Sequence, residues 1–505
     1  MSVSIDSTST GSGLPESFHL IGIGGSGMSV VARLLAAQGA VVSGSDRQDS
    51  DFLKGLQEIG IDAYFPHGKK DFDPNATVVL SSAIRPDNIE LVTAKERGQR
   101  VIHRSEALAL AARGQEFIAV AGAHGKTTTS AMIAVALLES GVDASFAIGG
   151  SVTGVGSGAR SGRDIFVAEA DESDGSFLNY SPSIALVTNI EADHLDTHGS
   201  AESLFHVFES FVDRIVPGGS LICCGEDPGS ARLAAEMRER TDLKVLTYGR
   251  PDRCADAPDV RLESVQVLRN GIEAELASSC FSSDFARVPL TLQVTGEHNA
   301  VNAAGAWTTC VAAGVPLKTA AESLASFRGA GRRFDFQGTV AGRTLINDYA
   351  HHPTEVAAAI HQAQLVADGG DVVVVFQPHL YSRTKSFADR FAQALAEANG
   401  VVLADIYAAR EDPMDGVTSA LIEDAAPPGV DFVNAGPVAT AARLGAELTK
   451  PGDVMVLMGA GDIYLEAGPV LEAWAGLETD ASSLIPGGGD SSAKEAPRDA
   501  REGSR

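Results

Sequence analysis

The run Gly122-Ala123-His124-Gly125-Lys126-Thr127-Thr128 places a lysine and a hydroxyl directly after a glycine turn. Such a loop lets backbone N–H groups cradle phosphate oxygens, an ammonium neutralise the β and γ phosphates, and a hydroxyl meet Mg²⁺. A full P-loop would need glycine where this chain has Val120, so the loop is a shortened one. A triphosphate requires a cation held by hard oxygen donors, and two acidic segments supply them. Glu169-Ala-Asp-Glu-Ser-Asp174 and Thr188-Asn-Ile-Glu-Ala-Asp-His194-Leu-Asp196 each follow a strand, which directs their carboxylates and one imidazole towards the P-loop rim. A second glycine cluster, Gly22-Ile-Gly24-Gly25-Ser26-Gly27, satisfies G-x-G-x-x-G, with Asp46 about twenty residues beyond it. By itself this pattern suits a dinucleotide or a nucleotide-sugar diphosphate, because glycines and a helix N-terminus serve any anion.

Three further runs concentrate polar side chains. Gly296-Glu-His-Asn299-Ala-Val-Asn302 opens a helix with amides near its start. Asn347-Asp348-Tyr349-Ala-His351-His352-Pro353 ends a strand with an acid, a phenol and two imidazoles. Phe376-Gln-Pro-His379-Leu-Tyr-Ser-Arg383 repeats that arrangement and adds a cation suited to a carboxylate.

Stepping outward from these residues, apolar runs and glycine caps predict the elements that carry them. His19-Leu-Ile-Gly-Ile-Gly24 reads as a strand, followed by a glycine turn and a helix over about 27–38 that Gly39 terminates. Ala40–Asp46 and Thr77–Ala83 continue the alternation of a parallel sheet covered by helices. Phe117–Gly122 leads into the P-loop and a helix ending near Ser140, and Asp164–Glu169 and Ile184–Asn189 supply more βα units. Val372–Phe376, Val401–Ala404 and Val454–Gly459 are the buried strands of a third α/β unit. Between the second and third units, Arg328-Gly-Ala-Gly-Arg-Arg-Phe334 reads as an exposed hinge about which the third closes on the second.

A chain of 505 residues, at roughly 150 per domain, holds about three domains. The expected division is a disordered leader at 1–15, domains at 16–114, 115–329 and 330–478, and a disordered tail at 479–505. The formal net charge of −27 opposes sequence-independent attraction to nucleic acid, so no such partner is expected. No run approaches the ~18 consecutive apolar residues of a membrane span, and the N-terminus lacks the charged and apolar regions of a signal peptide. Five cysteines without a C-x-x-C pair fit neither a disulfide framework nor a zinc site, which points to a reducing, cytoplasmic setting.

Taken in order, the shortened P-loop, the two acidic segments, the His298-Asn-x-x-Asn302 group, Arg333 and the Asn347–Pro353 run make the chain resemble the Mur ligase family from about Phe18 to Gly468. The resemblance implies an α/β protein of three domains: an N-terminal Rossmann-like UDP-sugar domain, a central P-loop ATPase-like domain and a C-terminal Rossmann-like domain for an amino acid. The implied chemistry uses ATP and Mg²⁺ to phosphorylate the lactyl carboxylate of UDP-N-acetylmuramate. The amine of L-alanine then attacks the acyl phosphate, a step of cytoplasmic peptidoglycan precursor synthesis by a monomer or weak homodimer.

By the same resemblance, Lys126, Glu169, His194 and His352 are catalytic, and Thr127, Glu169 and His194 hold the metal. ATP is expected to meet Gly122, Ala123, His124, Gly125, Lys126, Thr127, Thr128, Asn299, Asn302, Arg333 and Asp348. The UDP-sugar is expected at Gly24, Gly25, Ser26, Gly27, Asp46 and Ser82, and L-alanine at Tyr349, His379 and Arg383. Gly24-Gly-Ser-Gly-Met28 favours free L-alanine as acceptor over a preformed tripeptide, the substrate of a recycling ligase. Several members hold a second metal with a carbamylated lysine, but this chain has no lysine between Lys126 and Lys244, and spacing suggests Glu209 in its place. Two readings from other classes leave residues unexplained. A nicotinamide-linked oxidoreductase would not use the P-loop, and a P-loop switch would not need His379 and Arg383.

Overall fold

The computed structural model describes residues 17–68, 71–191, 200–282, 285–409 and 411–483. The expected leader lies outside these, as do His194, Asp196 and the chain after Ser483. Three sheets organise the described chain. The first has β1 (Ser17–Ile21), β2 (Val41–Ser45), β3 (Asp62–Tyr64), β4 (Thr77–Leu80) and β5 (Val101–His103) in the order β3-β2-β1-β4-β5, all parallel. The chain leaves β1 for β2 on one side and returns through β4 on the other. That reversal opens a crevice beyond the carboxyl end of β1. Gly22–Gly25 fills the turn there and helix α1 (Ser26–Ala37) follows, burying Met28, Val31, Leu34 and Leu35 at helical spacing.

The second sheet has ten strands: β6 (Glu116–Ala121), β7 (Ser145–Ala147), β8 (Ala159–Arg160), β9 (Ile165–Ala170), β10 (Ile184–Val187), β11 (Ser220–Cys224), β12 (Lys244–Gly249), β13 (Val260–Leu268), β14 (Gly271–Ser278) and β15 (Ala286–Leu292). Their order is β15-β14-β13-β12-β11-β10-β6-β9-β7-β8. Strand β6 is central, and Phe117–Ala121 is buried, as a strand covered on both faces requires. Its register pairs Ala121 with Ala170 of β9 and with Val187 of β10. The P-loop and both acidic segments therefore leave the sheet at one edge. Helix α2 (Lys126–Glu139) begins at the P-loop lysine and packs against α3 (Glu297–Ala312). The antiparallel β13–β15 alternate buried and more solvent-facing residues, as strands covered on one face do.

The third sheet orders β16 (Asp335–Val340), β17 (Arg343–Asp348), β18 (Val372–Phe376), β19 (Gly400–Ala404), β20 (Phe432–Gly436) and β21 (Val454–Met458) as β16-β17-β21-β18-β19-β20. All pairs are parallel except β16–β17. Asp348 and Phe376 both pair with Met458, so Tyr349, Gln377 and Gly459 emerge together. Helices α4 (Pro353–Ala367) and α5 (Tyr381–Leu395) follow β17 and β18. The last helix runs Ala467–Ser483, past the tail boundary expected at 478.

The exposure expected of the 328–334 segment needs correction. Residues 328–333 are not an open linker: Gly331 N donates to Ser151 O at 2.7 Å, Thr153 N donates to Gly329 O at 3.1 Å, and Ala330 is buried and bridges to Val152 and Arg333. The small residues that suggested mobility let the crossing segment lie close against the 151–153 loop.

Candidate active site

The P-loop is braced from β10. Thr188 Oγ1 donates to His124 O at 2.6 Å, Asn189 Nδ2 donates to the same carbonyl at 2.9 Å, and Asn189 Oδ1 accepts from His124 N at 2.9 Å. The fit requires glycine at 122, where φ is +129° and a Cβ would stand 2.2 Å from Thr188 Oγ1. Lys126 Nζ donates to Glu172 Oε1 and Oε2 at 3.1 and 3.0 Å, to Ala123 O at 3.4 Å, and to Gly122 O. Burial opposes the ammonium, but Glu172 and Asp171 outweigh it and raise its pKa. Burial pushes Glu172 up to about 7 in spite of Lys126.

A cavity of about 1180 Å³ lies where the central and third domains meet. Eight of the residues expected to contact ATP line it: His124, Gly125, Thr127, Thr128, Asn299, Asn302, Arg333 and Asp348. Lys126 is tied by its ammonium to the Gly122 and Ala123 carbonyls of the same loop. Asn302 Nδ2 donates to Asn299 Oδ1 at 3.4 Å, and Asn299 Nδ2 donates to Thr295 O at 2.8 Å, which fixes both amides on the first turns of α3. Asp348 accepts from Ala350 N at 2.6 Å and Phe334 N at 2.7 Å, and burial lifts its pKa to about 6.

His124 is bonded on both ring nitrogens, Nδ1 to Glu355 Oε1 and Nε2 to Glu191 Oε2, each at 3.1 Å. Burial disfavours the charged ring, yet these two carboxylates raise it to about 9, and the His124 bond holds Glu191 at about 2. His124 is therefore an imidazolium at neutral pH, with both nitrogens donating. His124, Glu191 and His352 also bring ligand atoms within 4.8 Å of one another. In the structure the trio is an ion-paired bridge, with His124 bonded to Glu191 and its ring 4.6 Å from the His352 ring. Glu191 extends that bridge to the third domain through Thr354 Oγ1 at 3.1 Å and Arg390 Nη2 at 3.1 Å.

The acidic segments do not all turn to the P-loop as expected. Glu169 does remain at the strand end, accepting from Gly149 N at 2.8 Å. Glu172 also meets the P-loop, at Lys126, whereas Asp171 lies 3.6 Å from Arg104 and Asp174 accepts from Ser82 Oγ and lies 3.7 Å from His103 Nε2. Ser82, expected at the UDP-sugar, thus takes part in a junction between the first and central domains. Glu209 pairs with His206 on the outer face of the helix Ala201–Val212. In the first domain, Asp46 Oδ2 accepts from Gly24 N at 2.9 Å, while Gly25 caps α1 ahead of Ser26 and Gly27.

The residues expected at L-alanine form a chain of contacts in the third domain. The Tyr349 ring is 5.2 Å from His351, His351 is 5.8 Å from His379, and His379 Nδ1 is 3.5 Å from Arg383 Nη1. His379 also stacks on Tyr407 at 5.8 Å. His352 is fully buried, caps α4 by accepting from Thr354 N at 3.4 Å, and lies 4.6 Å from the His124 ring. Sequence reasoning missed Arg104, Arg332, Glu355 and Tyr407. Glu355 had one visible signal, an acid in the first turn after Pro353, which reads as helix capping. Arg332 had none: its guanidinium covers the Tyr349 and Tyr464 rings at 4.6 and 4.1 Å, a contact made across the sheet.

Three family models match consecutive stretches of the chain: the Mur ligase family catalytic domain at 17–116, the Mur ligase middle domain at 120–310, and the Mur ligase glutamate ligase domain at 332–461. The chain belongs to the Mur ligase family. It is 48% identical over 462 residues to the UDP-N-acetylmuramate–L-alanine ligase of Kineococcus radiotolerans, covering 90% of this chain and 96% of that one. It is 43% identical over 496 residues to the ligase of the same name from Mycolicibacterium smegmatis, covering 95% and 100%. The UDP-N-acetylmuramate-alanine ligase of Thermotoga maritima superposes with a TM-score of 0.76 at 26% identity, covering 91% of this chain and 99% of that structure.

Proposed function

We propose that this protein joins L-alanine to UDP-N-acetylmuramate in an ATP- and Mg²⁺-dependent step of peptidoglycan precursor synthesis. The observation that carries the reading is the cavity at the domain junction, where the P-loop and α3 amides face Arg333 and Asp348 of the third domain. Identities of 43% and 48% to ligases of that name, over nearly full lengths, support it.

The γ-phosphoryl group passes from ATP to a carboxylate oxygen of the lactyl group, breaking the β,γ-bridging P–O bond and leaving ADP. The L-alanine amine then adds to the acyl carbon and loses a proton, and the tetrahedral species collapses with release of phosphate. Phosphoryl transfer asks chiefly for positioning and charge neutralisation. Lys126 supplies the cation and must exchange Glu172 for phosphate oxygens. The P-loop amides supply donors, and Arg333 brings charge from the third domain. Asp348 accepts from the ribose, and Asn299 and Asn302 meet the adenine side. The Thr127 hydroxyl and Glu169 carboxylate are hard oxygen donors at one sheet edge, which fits Mg²⁺; with His194 they would hold it, and it would neutralise phosphate charge. Arg383 holds the L-alanine carboxylate beside His379 and Tyr349, and His352 supports the P-loop side through His124. The Gly24–Gly27 turn with Asp46 and Ser82 receives the UDP-sugar.

No described helix is long and apolar enough to cross a membrane. All five cysteines are free thiols, which fits action in a reducing cytoplasm. The test is phosphate release from ATP with UDP-N-acetylmuramate present, comparing L-alanine, D-glutamate and tripeptide. Release that follows L-alanine is expected. Release that follows the tripeptide would indicate a recycling ligase, and release indifferent to all three would indicate an ATPase switch.

A further inference from the structure

Glu355 belongs to none of the residue groups drawn from the sequence, yet its carboxylate touches three separate segments. Oε1 accepts from His124 Nδ1 at 3.1 Å and lies 3.4 Å from Arg333 Nη1, while Oε2 accepts from His351 N at 3.1 Å. His124 is part of the P-loop, Arg333 lies just after the crossing between domains, and His351 stands between Tyr349 and His379. The side chain is 11% exposed, so these contacts are made largely out of water. One carboxylate thus reaches both the phosphate loop and the wall of the amino-acid pocket.

We propose that Glu355 is a positioning residue that couples the two pockets: by fixing the P-loop against the third domain, it makes the seating of ATP and of L-alanine depend on one shared contact. The inference rests on the ligase reading for the identity of the two substrates. The charges around the contact come from both domains. His124 and Glu191 face it from the central domain; Arg333, His351, His352 and, through Glu191, Arg390 face it from the third. Loss of the Glu355 charge removes the anion between His124 and Arg333, and the P-loop then reaches the third domain chiefly through Glu191 and its Thr354 and Arg390 contacts.

A glutamate at this point of a helix also serves as a cap, and glutamine fills that role equally well. Glu355→Gln therefore separates the coupling from capping, because it keeps size and one acceptor but removes the charge. The expected result is a rise of about tenfold in KM for both ATP and L-alanine, the scale of one lost charge-assisted hydrogen bond. KM for UDP-N-acetylmuramate should stay within about twofold, and Glu355→Asp, which keeps the charge, should recover part of the loss. A Glu355→Gln enzyme matching the wild type would mean capping only. A change confined to ATP would mean a local brace, and either result overturns the coupling. Direct titration with a non-hydrolysable ATP analogue keeps the test apart from the ligase reading. If wild-type phosphate release ignores L-alanine the ligase reading fails, while the titration still shows whether Glu355 holds the P-loop.

Discussion

The first and central domains each carry a strand, a glycine turn and a helix at the edge of a parallel sheet, but the two turns are held by opposite chemistry. In the first, Ser45 O accepts from Gly22 N and Ile23 N at 2.7 and 3.0 Å, and the Asp46 carboxylate accepts from Gly24 N. In the second, the neutral Thr188 and Asn189 hold the loop, and Lys126 provides a cation from within it. An amide already bonded to a carboxylate is not available to a phosphate. The first turn therefore suits a ligand recognised partly through hydroxyls, as in a nucleotide sugar, and the second suits a triphosphate. A glycine turn between strand and helix thus leaves the ligand open until the bracing groups are known.

The largest expected effect breaks the difference at its centre. Lys126→Ala should lower kcat by roughly 10³-fold in the phosphate-release assay, since it removes the P-loop's lysine cation, a group the Gly22–Gly27 turn lacks. A drop below tenfold would make the two turns equivalent. Next, Gly122→Ala should destabilise the fold by roughly 1–3 kcal/mol in thermal or urea unfolding, because its φ is positive and the new Cβ would meet Thr188 and the Asn189 backbone. Gly24→Ala meets only the Ser50 and Asp46 side chains, at 2.9 and 3.0 Å, so its melting temperature should stay close to wild type while KM for the UDP-sugar rises. Asp46→Asn should raise that KM by about tenfold and leave KM for ATP unchanged; a matching rise for ATP would contradict separate ligands.

The smallest effect concerns pH. Asp348, raised by burial to about 6, is protonated below that value and charged above it. Because its folded pKa exceeds the usual 3.8, this residue makes folding less favourable as pH rises from 3.8 towards 6, with no further change above. In the proposed role the charged form is the one that would accept from a ribose hydroxyl. KM for ATP should therefore fall about threefold as pH rises through about 6, and Asp348→Asn should flatten that change.

Much of the site was legible because its signals are local. The strand at Phe117, the glycine turn and the helix from Lys126 are specified within about twenty residues by apolar runs and backbone freedom. Parallel strands then bring their carboxyl ends to one edge, which is why the His124–Thr128 loop, the Asn299 and Asn302 amides, Arg333 and Asp348 meet at one cavity. The partners of charged groups were not legible in the same way. Asp171, Glu172 and Asp174 read as one acidic cluster, and the fold sends them to Arg104, Lys126 and Ser82. The exposed hinge expected at 328–332 proved to be bonded to the 151–153 loop, since glycines that permit motion also permit close contact.

By itself the amino-acid sequence determined which strands, turns and helices exist and which residues stand at their ends, because those features depend on neighbours in the chain. Only the tertiary structure decided which carboxylate meets which cation. His124 and Glu355 are 231 residues apart, and their hydrogen bond exists only because two separately folded sheets place their edges against each other. The energy of such a pair depends on burial and on every nearby charge, and neither is written in local sequence.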